Sequence, residues 1–228
     1  MQNLDDYSPM ELSDNNNTIQ IDDILNINVG ALMPEAALPY NKISPTMTMA
    51  NNLELIKLEG YLVSQEKTIN FPILGTISVD GKTTITLEKY LKERLKTEGY
   101  LIDPIVTVRL LNAKVTILGE VKMSGTFTFN ENNINFLQAL GLAGDLTINA
   151  NREDVIVIRN VDGIQTAGHL NLTSADWLSG PFQNIKPNDV IVVNPNMAKV
   201  KSAGYIGNAS VVLAMASIIL SSIILLTR

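Results

Sequence analysis

The residues of this sequence that could form a catalytic site are His169, Ser174 and Asp176. A histidine, a serine and a carboxylate are the components of a nucleophilic triad, in which the imidazole takes the proton of the attacking hydroxyl. Here the three residues lie within eight positions and lack the strand-to-helix turn that exposes a nucleophilic serine. We therefore predict no catalysis at these residues, and hydrolysis by other carboxylates is kept as the third of three functional hypotheses.

Few residues could bind a metal ion or a cofactor. The chain has no cysteine and one histidine, which excludes thiolate-bound zinc, iron–sulfur clusters and two-histidine metal sites. Asp22 and Asp23 could bind a cation, but turn formation explains the pair more simply. The glycine-containing run 141–144 ends a predicted helix and is no phosphate-binding loop, and Trp177 is more typical of a buried plug than of a sugar-stacking platform. We predict no cofactor, no metal and no enzymatic activity.

The charge of the chain limits its partners. Its 228 residues include 17 Lys and Arg against 23 Asp and Glu, a net charge of −6, without any block of five or six like charges. Nucleic-acid binding is therefore not expected. Hydrophobic residues make up 46% of the chain, but 16 of them are concentrated in the uncharged stretch 205–226. The rest of the chain has the composition of an ordinary globular protein.

The order of predicted elements indicates an α+β protein built from two small sheet-plus-helix modules. Residues 1–17 contain few apolar side chains, which predicts an extended leader. The first module covers residues 18–112. It contains alternating apolar residues over 19–29, a proline- and methionine-bearing loop over 31–52, and short strands over 53–79.

Each module is predicted to contain one main helix. The first begins after the N-cap residue Thr86 and ends at Gly99. The second module covers residues 113–198, and its helix runs from about Asn135 to Ala143. Its strands are predicted at Lys114–Val121, Thr126–Phe129, Asp154–Arg159, Gln165–Leu172 and Val190–Asn194.

A single C-terminal transmembrane amphipathic helix is predicted over residues 203–227. At 1.5 Å per residue, 22 uncharged residues extend about 33 Å, which exceeds the roughly 30 Å of a bilayer's hydrocarbon core. Lys199, Lys201 and Arg228 flank the stretch as charged anchors. The alternative is a buried core helix, which is disfavoured because so long an uncharged segment seldom fits inside a small domain.

Small residues form a stripe along this helix, and they are the candidate site residues. At 100° per residue the stripe covers an arc of about 80°, which favours close helix packing or a wetted lumen over contact with lipid. The alternative is chance placement of serines in a monomeric anchor. The residues predicted to line a helix seam or lumen are Gly207, Ser210, Ala214, Ser217 and Ser221.

The run Thr18–Ile27 resembles the start of the export domain of the outer-membrane polysaccharide export proteins of Gram-negative bacteria. Asp22 stands where that family usually has glycine. Pro72 and Gly75, in Ile69–Gly75, make the resemblance more specific. The second module resembles a soluble-ligand-binding β-grasp (SLBB) domain through the runs Val115–Val121, Val155–Arg159 and Ile185–Ile191.

The resemblance implies a ring-forming outer-membrane translocon for capsular polysaccharide or exopolysaccharide. It also implies a homo-oligomer, contact with outer-membrane lipid, and an inner-membrane polysaccharide co-polymerase as partner. Most of the chain would lie in the periplasm, and lipidation would occur at a cysteine upstream of Met1. The alternative function is a monomeric, membrane-tethered periplasmic glycan-binding module.

Overall fold

The computed structural model describes residues 17–42, 53–131, 133–203 and 209–226, and within them the chain folds into two α+β units. The predicted fold class is confirmed at this level. The predicted leader, apart from Asn17, lies outside the described residues. The elements of the first unit are β1 (Ile24–Gly30), α1 (Pro34–Ala37), a 3-10 turn (Leu38–Tyr40), α2 (Leu53–Glu59), β2 (Tyr61–Leu62), β3 (Thr68–Phe71), β4 (Gly75–Ser78), α3 (Thr84–Thr97) and β5 (Ile105–Leu110).

The first unit is organised around an antiparallel sheet in the order β2-β1-β5. The strand β1 alternates strictly, so that Leu25, Ile27 and Val29 are buried while the residues between them face outward. Strands β3 and β4 form a separate hairpin, and helix α3 packs against β5. The buried face of β1, the hairpin and α3 together enclose one hydrophobic core.

Helix α3 begins one turn earlier than predicted. Its N-cap residue is Thr83, whose hydroxyl accepts a hydrogen bond from the Thr86 backbone N–H, and the Thr86 hydroxyl in turn accepts one from the Thr83 N–H. Thr86 was predicted to be the cap itself, but it is the third residue of this reciprocal capping box. The predicted end is confirmed, since Gly99 has a φ of 76° just after the helix.

Two local predictions for the first unit are wrong. Residues 53–58 were expected to form a strand, but they belong to helix α2. The apolar pairs Leu53 and Ile56, and Leu55 and Leu58, are each three positions apart, a spacing that also fits a helix. The expected loop at 31–52 contains α1 and the 3-10 turn, both of which have proline in the first turn, where it needs no hydrogen-bonded N–H. Residues 43–52 lie outside the described residues.

The second unit contains a mixed five-stranded sheet in the order β10-β9-β12-β6-β7. Only the pair β12 and β6 is parallel. The elements are β6 (Lys114–Gly119), β7 (Gly125–Thr128), β8 (Ile134–Asn135), α4 (Phe136–Leu142), β9 (Ala150–Val161), β10 (Ile164–Leu170), a 3-10 turn (Asp176–Ser179), β11 (Asn184–Ile185) and β12 (Val190–Pro195).

The core of the second unit lies between this sheet and helix α4. Asn135 caps α4 in a reciprocal pair with Gln138, and Phe136 packs edge-on against Trp177 with 5.5 Å between ring centroids. Trp177 is 6% exposed, so the prediction of a buried plug is confirmed. This core is distinct from that of the first unit. It consists of individual buried residues, of which Ala113 is the first in the chain and Val193 the last.

Two helices follow the second sheet: α5 (Met197–Ala203) and α6 (Ala209–Leu226). Helix α5 was not predicted. The Asn196 side chain accepts a hydrogen bond from the Lys199 backbone N–H, and the Lys199 ammonium contacts the Glu120 carboxylate. These contacts attach the first turn of α5 to the second unit.

The predicted transmembrane segment at 203–227 contains helix α6, but the structure does not support the prediction that this helix spans a membrane. Within the ranges that the structure describes, no helix combines the length and the apolar character that crossing a bilayer requires.

Candidate functional site in the cleft between the two units

The predicted stripe residues are only partly covered by the structure. Gly207 lies outside the described residues, and Ser210 and Ser221 belong to α6. Ala214 and Ser217 are exposed on α6, and the Ser217 hydroxyl donates to the Ala214 carbonyl over 2.8 Å. No neighbouring helix covers the described side chains of α6 at 213–220, all of which are exposed. Their role in a seam or lumen stays a prediction.

His169 and Ser174, two of the three residues whose types match a catalytic triad, form hydrogen bonds with residues outside that triad. His169 Nδ1 lies 2.5 Å from Asp154 Oδ1, across the antiparallel pair β9 and β10, while the Ser174 hydroxyl donates to the Asn171 carbonyl. The sequence pattern did not indicate Asp154 as the partner of His169, because the two residues are 15 positions apart. The arrangement holds the imidazole on an exposed sheet surface and pairs it with no nucleophile.

Polar side chains from both units line a cleft between them. The cleft encloses a cavity of about 60 Å³. The first unit contributes residues from 17–25, the first residue of α3 and the last residue of β5, and the second contributes loop residues and the end of β9. The polar residues that line it are Asn17, Thr18, Gln20, Asp23, Thr84, Asn130, Glu131, Asn133, Asn160 and Lys186, and the apolar ones include Ile19, Leu25, Leu110, Phe129, Val161 and Pro187.

Asp23 is the buried acid of this cleft, with only 4% of its surface exposed. The chain turns at Asp22, whose φ is 66°, and the turn directs Asp23 inward, where its Oδ2 accepts a hydrogen bond from the Gln20 backbone N–H over 2.8 Å. The predicted turn at Asp22 and Asp23 is confirmed. Burial raises the pKa of Asp23 to about 6; the Gln20 hydrogen bond opposes the rise and the nearby Asp22 charge adds to it.

Two contacts beside the cleft join the units directly. The Lys67 ammonium lies 2.5 Å from Asp162 Oδ1 and 2.9 Å from Asp80 Oδ1, so it bridges a turn of each unit. The Asp162 backbone N–H donates to Gln20 Oε1 over 3.3 Å. Gln20, which itself lines the cleft, therefore also contacts the second unit.

The second wall of the cleft is held by a buried ion pair. Arg159 Nη2 lies 2.7 Å from Asp189 Oδ2, and Asp189 also accepts a hydrogen bond from the Lys186 backbone N–H over 2.8 Å. Arg159 donates further to the carbonyls of Pro181 and Asn184. These bonds fix the segment 181–189, which carries Lys186 and Pro187 into the cleft.

The cleft was missed in the sequence because its lining comes from six separate segments of the chain. One signal was visible: residues 130–133 read Asn-Glu-Asn-Asn, a run rich in amide side chains. Chemically, the cleft offers amide donors and acceptors, a buried carboxyl group and one ammonium. Such a set can hold a polar ligand, and it has no nucleophile paired with a base.

Comparisons with known proteins identify both units. Residues 11–111 match the family model described as polysaccharide biosynthesis/export protein, and residues 113–193 match the SLBB domain. The resemblance predicted from the motifs is thereby confirmed.

Two relatives share the name EPS I polysaccharide export outer membrane protein EpsA. The one from Ralstonia solanacearum is 30% identical over 120 residues, which is 50% of this chain and 31% of the relative. The one from Ralstonia nicotianae (strain ATCC BAA-1114 / GMI1000) is 30% identical over 118 residues, or 50% of this chain and 30% of the relative. The matched part of the chain thus spans less than a third of either relative's length.

Proposed function

Because this chain consists of a polysaccharide biosynthesis/export domain followed by an SLBB domain, and is a distant homologue of an outer-membrane export protein, we propose that it forms a ring-shaped outer-membrane translocon. The cargo is capsular polysaccharide or exopolysaccharide. The observation that carries the proposal is the order of the two domains, export domain first and SLBB domain second, in a homologue of proteins named for export.

Helix α6 supports self-association. Its described side chains from Leu213 to Leu220 are exposed, and the large ones among them are 49–69% exposed. A contiguous exposed apolar surface of this kind is typical of a site that contacts another protein or a membrane. In the proposed ring, α6 of one copy packs against α6 of its neighbours, and the larger side chains contact outer-membrane lipid.

The proposed translocon is a passive conduit and not an enzyme. It lies at the outer membrane with its two domains in the periplasm, and it receives the polymer from an inner-membrane co-polymerase. This assignment is supported by the export family of its first domain and by the outer-membrane location named for its relatives.

Mass measurement of the full chain in mild detergent tests the proposal. A closed ring gives one mass that is an integral multiple of 24.9 kDa. A single copy at micromolar concentration contradicts it. In the bacterium that encodes the chain, deletion of the gene is expected to abolish surface polysaccharide while synthesis inside the cell continues.

A second function is favoured by the cleft itself: a monomeric, tethered, periplasmic glycan-binding module. Its partly enclosed cavity lies between two domains, which is a preferred position for small-ligand sites. The mass measurement separates the two functions, because a tethered binder needs no second copy and a conduit does.

A further inference from the structure

We propose that the cleft between the export domain and the SLBB domain binds one uncharged monosaccharide unit. The inference deepens the proposed function, on which it rests for the source of the sugar, the exported polymer. The evidence for it is the cavity, its polar lining and one buried amide, Asn17 Nδ2, that the described residues leave without a hydrogen-bond partner.

The size of the cavity fits one sugar unit. A water molecule needs about 10–15 Å³ of such a space, so about 60 Å³ holds roughly four to six waters. A pyranose ring with its hydroxyls displaces a similar number. A second depression of about 320 Å³ shares Phe129, Asn130 and Glu131 with the cleft, so a neighbouring unit of the same polymer has a place to continue.

The chemistry of the lining suits hydroxyl groups. Each asparagine side chain offers two donors and an acceptor, which allows it to pair with adjacent hydroxyls that both donate and accept. Asn130 and Asn160 are exposed at the cleft, one from each end of the SLBB wall. Phe129 and Pro187 supply apolar surface for the C–H face of a sugar ring.

One buried polar group of the cleft lacks a partner that a ligand could supply. Among the described residues, the Asn17 Nδ2 amide is buried and has no hydrogen-bond partner. Asp23 lies in the same cleft with 4% of its surface exposed, and its Oδ2 accepts a hydrogen bond from the Gln20 backbone N–H. Buried polar groups are nearly always paired, and an unpaired one is costly. A ligand hydroxyl can accept from Asn17 and donate to Asp23.

Charge favours a neutral sugar over an acidic one. The lining contains two carboxyl groups, Asp23 and Glu131, against the single ammonium of Lys186. A hexuronate would bring a third carboxylate into a partly desolvated space, where like charges repel strongly. A neutral hexose meets no such penalty.

Because both domains line the cavity, a bound sugar contacts both of them. The Lys67–Asp162 ion pair already holds the domains together beside the cleft. Binding therefore stabilises the pair of domains in this orientation, and is expected to raise the thermal unfolding midpoint of the full chain.

The test uses the full chain in mild detergent and ligand-observed saturation-transfer NMR. The probes are the methyl glycosides of glucose, galactose and mannose, with methyl glucuronide and glycerol as comparisons. At least one neutral glycoside is expected to bind with a dissociation constant in the roughly millimolar range, tighter than the glucuronide and far tighter than glycerol.

Variants assign the binding to the cleft. Asn160→Leu is expected to weaken binding about fivefold or more, since each lost hydrogen bond costs about that factor. The matched control is Asn28→Leu, an exposed asparagine on β1 outside the cleft, which should bind as the wild type does. Glu131→Gln should reduce the ratio between the affinity for the neutral glycosides and the affinity for the glucuronide.

Absence of saturable binding by every neutral glycoside overturns the inference, as does equal binding by Asn160→Leu and wild type, preference for the glucuronide, or equal binding of glycerol. Its failure is distinguishable from failure of the export function. A multi-copy assembly that binds no sugar in the cleft refutes the site alone, whereas a single-copy chain that binds a neutral sugar refutes the ring alone.

Discussion

Arg159 and Asp189 form a buried ion pair that closes the SLBB domain: Nη2 lies 2.7 Å from Oδ2 and Nε lies 3.0 Å from Oδ1. The two residues are 6% and 1% exposed. Asp189 follows a turn at Asn188, whose φ is 68°, and begins the approach to β12, while Arg159 lies in β9. The pair thus connects the central strands of the sheet to the loop that forms one wall of the cleft.

Replacing Asp189 should destabilise the SLBB domain strongly. Asp189→Ala leaves the Arg159 guanidinium buried without its counter-charge, and we expect a loss of about 3–5 kcal/mol in the free energy of unfolding. Urea unfolding followed by the fluorescence of Trp177 measures this loss of stability in the SLBB domain, because the only tryptophan of the chain lies in the core of that domain. The control is Asp154→Ala, which removes the exposed partner of His169 and should cost less than about 1 kcal/mol. Equal stability of the two variants would contradict the prediction.

Asp23 should make the chain more stable as the pH falls toward 4. Its pKa is raised from 3.8 to about 6 in the folded chain, so the folded state holds the proton more tightly than the unfolded state. The resulting stabilisation is fully present below about pH 4 and is lost as the pH rises through about 6. From the two pKa values, the difference amounts to about 3 kcal/mol.

Asp23→Asn should remove this dependence, because the amide does not titrate and its oxygen can still accept from the Gln20 N–H. Urea midpoints followed by circular dichroism between pH 4.5 and 7.5 measure the effect. Relative to wild type, the variant should gain stability most at pH 7.5. Asp103→Asn, at a side chain that is 77% exposed, serves as the control and should retain the wild-type slope. A wild-type slope in Asp23→Asn would show that another group causes it.

Gly119 should not tolerate a side chain. Its φ is 92°, and a Cβ atom there would lie 2.0 Å from the Val193 carbonyl oxygen on the parallel neighbour β12. Gly119→Ala therefore combines backbone strain with a clash against backbone that cannot move aside, and we expect a loss of about 3 kcal/mol or more. Gly125→Ala, with nothing within 4 Å of the added carbon, should change stability by less than about 1 kcal/mol. Thermal unfolding of both variants provides the comparison.

Ser217 tests the predicted stripe on α6. If the stripe lines a seam or lumen, Ser217→Leu narrows the lumen or separates the helices, and it should reduce surface polysaccharide or the detergent-resistant assembly. Each contact of this kind is worth only about 0.5–2 kcal/mol, but the change recurs in every copy of a ring. Ile219→Leu, about 160° away around the helix, should have nearly no effect. An unchanged Ser217→Leu strain would favour a simple anchor.

Local patterns predicted much of the second domain and less of the first. Strands at Lys114–Gly119 and Val190–Pro195 and helix α4 were predicted within two residues or so, because their apolar runs are bounded by glycine or proline. Helix α2 was mistaken for a strand, since seven residues carry too few repeats to separate a period of two from one of 3.6. The cap of α3 was placed three residues late because Thr83 and Thr86 both satisfy the cap preference.

The sequence by itself determined the α+β class, the order of the two domains and the family, because these depend on local periodicity and on motifs of contiguous residues. Only the tertiary structure decided the cleft, the burial of Asp23 and the pairing of Arg159 with Asp189. These depend on contacts between positions far apart in the chain, 30 residues for Arg159 with Asp189 and 142 for Gln20 with Asp162. Local patterns do not specify such contacts, since the packing of one domain on the other sets which polar groups lose their water.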